Sequence, residues 1–207
     1  MNDQQQSLAA LQDIKKIMER SSRFISLSGW SGIAAGLCAL AGAFAAKHFI
    51  SEYQTNPGAS DAVFLESRLV LVAGGTFIVA FILAFIFTYI RSRKHGIPVW
   101  GAIAKRLIFN TVIPLLAGAI VVYKLLELKQ YGLIAPLCLI FYGLALINGS
   151  KYTLGEVKYL GYCQVVLGGI SLWMPGYDLY FWAAGFGILH IIYGLLMWSK
   201  YDRKEAV

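Results

Sequence analysis

Ser28, Asn110, Asn148, Gln164 and His190 are polar side chains standing inside or at the ends of long apolar runs. An amide or an imidazole left in hydrocarbon is costly. Such residues therefore turn inward, to bond with neighbouring helices or to line a hydrated cavity. The chemistry they offer is ligand binding and proton exchange. His190 brings an imidazole that titrates near neutral pH, while the three amides both donate and accept hydrogen bonds. Covalent catalysis finds no footing, because no G-x-S-x-G, H-E-x-x-H, P-loop or dinucleotide-type glycine pattern is present. No catalytic residue is assigned, and the chain is expected not to be an enzyme.

Metal chemistry is equally poorly served. No second histidine stands at ligand spacing beside His48, His95 or His190, and Cys38, Cys138 and Cys163 share no C-x-x-C pattern. No metal and no cofactor is expected, and the cysteines read as small buried hydrophobes. Glu156, between Lys151 and Lys158, reads as a solvated or locally paired carboxylate. Lys124 and Glu127 stand one helical turn apart, a spacing that permits an ion pair.

The elements that must position these residues follow from composition. The 207 residues are 58% hydrophobic and only 14% charged, which places the chain in lipid rather than in water. About 20 apolar residues span roughly 30 Å of hydrocarbon as a helix. Six such segments are expected, over residues 24–46, 69–90, 107–126, 133–149, 159–174 and 179–198. The fold class is thus all-α, a polytopic membrane bundle over 24–198. It is preceded by an amphipathic segment within 1–23 and followed by a short tail, 199–207. In that N-terminal segment Leu8, Leu11, Ile14 and Met18 keep helical spacing, with Gln12, Lys15, Lys16 and Glu19 on other faces. It is suited to lying on the membrane surface, or to docking a protein partner or a second copy.

Small residues mark the contact faces within the spans. Gly32 and Gly36 belong to a stripe on the first span. Gly161 and Gly168 share a face with Gln164, and Gly187 and Gly194 share one with His190. Both polar side chains are therefore expected to point into the bundle. Two readings stay open: hydrogen bonds between helices, each worth on the order of 1 kcal/mol, or a hydrated vestibule that holds a ligand. The 47–68 segment reads as the longest linker, Gly96-Ile97-Pro98 as a helix break, and Pro114 as a kink in the third span.

Orientation comes from the cations. Four Lys and Arg precede Phe24, five lie in the 91–106 block, two in 150–158 and three in the tail, fourteen of the eighteen. They fall on one side if the chain crosses six times, and the positive-inside rule makes that side the cytoplasm for both termini. The net charge of +7 is spent at helix ends facing anionic headgroups, so the bilayer and not nucleic acid is the expected partner.

The MERSSRFISLSG entry to the first span and the FWAAGFGILHIIYGLLMWSKYDR ending resemble those of uncharacterised small bacterial six-helix inner-membrane proteins. The resemblance implies a bacterial inner-membrane location and carries no functional motif. The expected function is a non-enzymatic, partner-binding or sensory membrane component. The alternative is a small-solute or ion carrier that uses a cytoplasm-facing polar cavity at His190, Gln164, Asn110, Asn148 and Ser28.

Overall fold

The computed structural model describes residues 28–55, 62–94 and 100–202. The amphipathic segment 1–23, the Gly96-Ile97-Pro98 break and the end of the tail lie outside the described residues. The described chain is all α-helix and related turns. α1 is Gly29–Thr55, α2 Ala62–Lys94, α3 Ala102–Glu127, α4 Ile134–Gly149 and α5 Val157–Leu172. α6 runs without a break through Asp178–Trp182, Ala183–Leu189, His190–Met197 and Trp198–Asp202. Helices suit a chain of this composition, since every backbone polar group must find its partner within the segment where water is absent. α1, α2, α3, the Tyr131–Tyr152 stretch that contains α4, and α6 are long and apolar enough to cross a membrane, as befits a multi-pass membrane protein.

Several boundaries differ from the sequence expectation. α1 continues to Thr55 and α2 already begins at Ala62, so most of the 47–68 linker is helical. At 1.5 Å per residue these 27- and 33-residue helices are roughly 40 and 50 Å long and outreach the hydrocarbon. Their projecting ends are tied by Arg68 and Glu52 at 3.6 Å. α5, with 16 residues, is only about 24 Å long. α3 stays one helix across Pro114. Cys163 is exposed on the outer surface of α5 rather than buried.

Close approaches fix the packing order. Along α1, a β-carbon placed on Gly32 would lie 3.0 Å from Gly194 Cα, and one on Gly36 would lie 2.6 Å from the Gly187 carbonyl. α1 therefore runs antiparallel to α6 at near-backbone contact. α4 and α5 meet in the same way, with a Gly161 β-carbon 2.8 Å from the Gly143 carbonyl and one on Gly168 2.7 Å from the Pro136 carbonyl. Gly118 of α3 faces Phe141 of α4, and Gly42 of α1 faces Thr76 of α2. α6 joins the two halves, packing on α1 on one side and on α4 and α5 on the other, while α2 flanks α1 and α3 flanks α4.

These contacts set the helix directions. α2, α4 and α6 run one way, and α1, α3 and α5 the other. Arg91, Arg93, Lys94, Lys105, Arg106, Lys151, Lys158 and Lys200 accordingly share one end of the bundle, and Lys47, Arg68, Lys124 and Lys129 the opposite end. At that opposite end Lys124 bonds Glu127 at 2.8 Å, and Tyr131 donates to Glu66 at 2.8 Å.

Candidate functional site: a closed imidazole network at a widened turn

The site begins with a local departure in α6. Over Ala183–Leu189 the helix is wound as a π-helix, a rare state that often marks a functional position. The wide turn lies where Gly185 has no side chain. A β-carbon there would collide with Leu139 of α4 and stand 2.6 Å from Gln164 Oε1 of α5. Three helices thus converge on the Gly185 backbone, and its carbonyl becomes the hub.

Two side chains bond that carbonyl. Gln164 donates through Nε2 at 2.8 Å, and His190 approaches through Nδ1 at 3.0 Å. A carbonyl oxygen only accepts, so Nδ1 carries a proton. The other ring nitrogen, Nε2, lies 2.8 Å from the Tyr142 hydroxyl of α4. In neutral His190 that nitrogen is bare and accepts the phenolic proton. Both ring nitrogens are thereby engaged, one from the residue's own helix and one from α4. Phe186 stacks beside the imidazole with ring centroids 6.0 Å apart, and Trp182 continues the aromatic wall 5.1 Å from Phe186.

The imidazole and the amide are buried, while Tyr142 is half-buried. Gln164 is 0% exposed and His190 6%. Gln164 Oε1 and the Tyr193 hydroxyl are buried without a hydrogen-bond partner among the described residues. What the arrangement can do chemically is hold a proton and reverse a bond. If His190 gains a second proton, Nε2 becomes a donor, and Tyr142 must change from donor to acceptor and send its own proton elsewhere.

The other candidates are placed differently. Asn148 donates to the Asn110 backbone carbonyl at 2.8 Å, joining α4 to α3, while the Asn110 side chain bonds Arg106 of its own helix. Ser28 caps α1: its hydroxyl accepts from the Trp30 amide at 3.3 Å, where a helix start leaves amides unpaired. Of the five polar candidates, therefore, only Gln164 and His190 meet at one atom. Tyr142 and the Gly185 carbonyl escape sequence reasoning. A tyrosine well inside the fourth apolar run, away from the interfacial belts, was the available signal for the first; no side-chain pattern signals the second.

A second polar group closes the basic end. The Glu156 carboxylate receives Lys200 and, at 2.9 Å, the Tyr201 hydroxyl, both on the same oxygen. Its partners come from α6 rather than from the neighbouring Lys151 or Lys158. Partial burial raises the Glu156 carboxyl, but the bonds from Lys200, its own backbone and Tyr201 outweigh this and hold it below the usual carboxylate range. Beneath it Leu154, Val157 and Met197 form a buried apolar cluster with Tyr193 and Tyr201 packed against it. No protein-family model, no curated protein and no solved structure matches the chain.

Proposed function

We propose that this protein is a non-enzymatic sensory component of the bacterial inner membrane, crossing six times with both termini in the cytoplasm. Its sensing element is the network of His190, Tyr142, Gln164 and the Gly185 carbonyl. One observation carries the reading: both nitrogens of a buried imidazole are engaged, across α4 and α6, at a π-helical turn. A proton added there reverses the Tyr142 bond and alters the joint between the two helices. The positive-inside count supports the orientation, since the basic end gathers most of the cations. The burial of His190 and Gln164 supports sensing over solute carriage, because a solute needs a path to the groups that bind it. A protein partner reached through residues 1–23 would receive the signal.

Trp182 provides the test, through Phe186 and its stack on His190. In a variant whose sole tryptophan is Trp182, reconstituted in lipid, the emission is expected to shift on acidification. His190→Gln is expected to abolish the shift while the protein stays folded. The same titration in both proteins would remove His190 as the sensor.

A further inference from the structure

At the basic end of the bundle, the turn between α4 and α5 and the last turn of α6 enclose an open cavity of about 450 Å³. Lys158, Lys200, Glu156, Tyr159 and Tyr201 contribute to its wall. The described wall carries two lysines and one carboxylate, so one positive charge is left over among these residues. Glu156 stays ionised at neutral pH, because its bonds hold the carboxyl below the usual range, and the surplus persists.

The two cations are held differently. Lys200 donates to Glu156, which fixes the ammonium at the cavity edge. Lys158 lies 5.0 Å over the ring of its neighbour Tyr159 and has no carboxylate in ion-pair reach among the described residues. The cavity opens where α5 begins and α6 ends, at the cation-rich end of the bundle. A cation-rich helix end is where a membrane protein meets anionic headgroups.

We propose that this cavity binds one phosphate group, held between the Lys158 and Lys200 ammonium groups with Glu156 as the residue that positions Lys200. An anionic phospholipid headgroup or a free phosphate ester presents the same chemistry. Basic pockets between membrane helices on the cytoplasmic side are suited to such groups, and a cation near the surface strengthens anionic-lipid attraction about fivefold. This site is separate from the His190 network and rests on the proposed orientation only for its placement on the cytoplasmic side.

The test uses the full chain in phosphatidylcholine discs, read by native mass spectrometry after release. One arm adds phosphatidylglycerol to the disc, and the other adds glycerol phosphate to the solution. One retained phosphatidylglycerol per chain is expected, with its affinity lowered about fivefold by Lys158→Gln. Lys158 makes no ion pair among the described residues, and a glutamine keeps most of its length, so this variant is expected to keep the fold. Lys151→Gln removes the same charge from the same end without touching the cavity, and is expected to leave the retained lipid in place. Displacement of the lipid by glycerol phosphate would keep the phosphate site and make its source the solution. Equal losses in Lys151→Gln and Lys158→Gln would overturn the proposal, since only the general surface charge would then be at work. No retained anion of either kind would overturn it as well.

Discussion

At the scale of single residues, the network makes its members unequal. Tyr142→Phe keeps the ring against Phe186 and removes only the hydroxyl, leaving His190 Nε2 buried without a partner. An orphaned buried acceptor costs about 1–3 kcal/mol. Tyr142→Phe is therefore expected to lower unfolding stability in detergent by about that amount, whereas Tyr162→Phe, on the exposed face of α5, is expected to have little effect. Glu156 supplies a pH dependence of known sign. Its folded value is depressed, so its contribution is present above the unfolded carboxyl value and is lost as the pH falls through the lower folded value. Acidification is expected to speed hydrogen exchange in the last turn of α6, and Glu156→Gln is expected to exchange quickly already at neutral pH. His190 and Gln164 were legible in the sequence because imidazole and amide stand out in an apolar run. Tyr142 could have been noticed from its place well inside an apolar run, but nothing in its spacing names His190 as its partner.

At the scale of elements, the helix pairs depend on missing side chains. A β-carbon on Gly161 would lie 2.8 Å from the Gly143 carbonyl, and backbone cannot step aside as a flexible side chain can. Gly161→Leu is expected to separate α4 from α5 and to cost at least the 1–3 kcal/mol typical of overpacking. Gly75 of α2 has open space where its β-carbon would stand, so Gly75→Leu is expected to leave stability close to that of the wild type. Unfolding of both variants in one detergent gives the comparison. The small-residue stripe on α1 could be read as a contact face from its spacing alone. That α6 is what lies against it could not, because several spans carry similar stripes. The π-helical stretch over Ala183–Leu189 was also illegible: it follows from three helices crowding Gly185, which is a tertiary cause.

At the scale of the whole molecule, the alternating helix directions bring the cation-rich ends together. Apolar length made the all-α class and most spans visible in the sequence. The true helix ends were not visible, because charged residues such as Glu52 and Arg68 read as loop although they extend helices beyond the hydrocarbon. A reporter inserted within residues 56–61 is expected to lie outside the cytoplasm, and one fused after Val207 inside it. The reverse pattern would invert the proposed orientation and put the phosphate cavity in the other leaflet. The central claim, however, is that His190 is a proton-responsive joint between α4 and α6. The most direct test is ¹⁵N magnetic resonance of histidine-labelled protein in lipid, with the His190 signal identified by its loss in His190→Gln. The account predicts a neutral ring protonated at Nδ1, with a hydrogen-bonded, unprotonated Nε2 that gains a proton on acidification while the fold persists. A proton on Nε2 with Nδ1 bare, or a signal constant at every pH at which the protein stays folded, would contradict it.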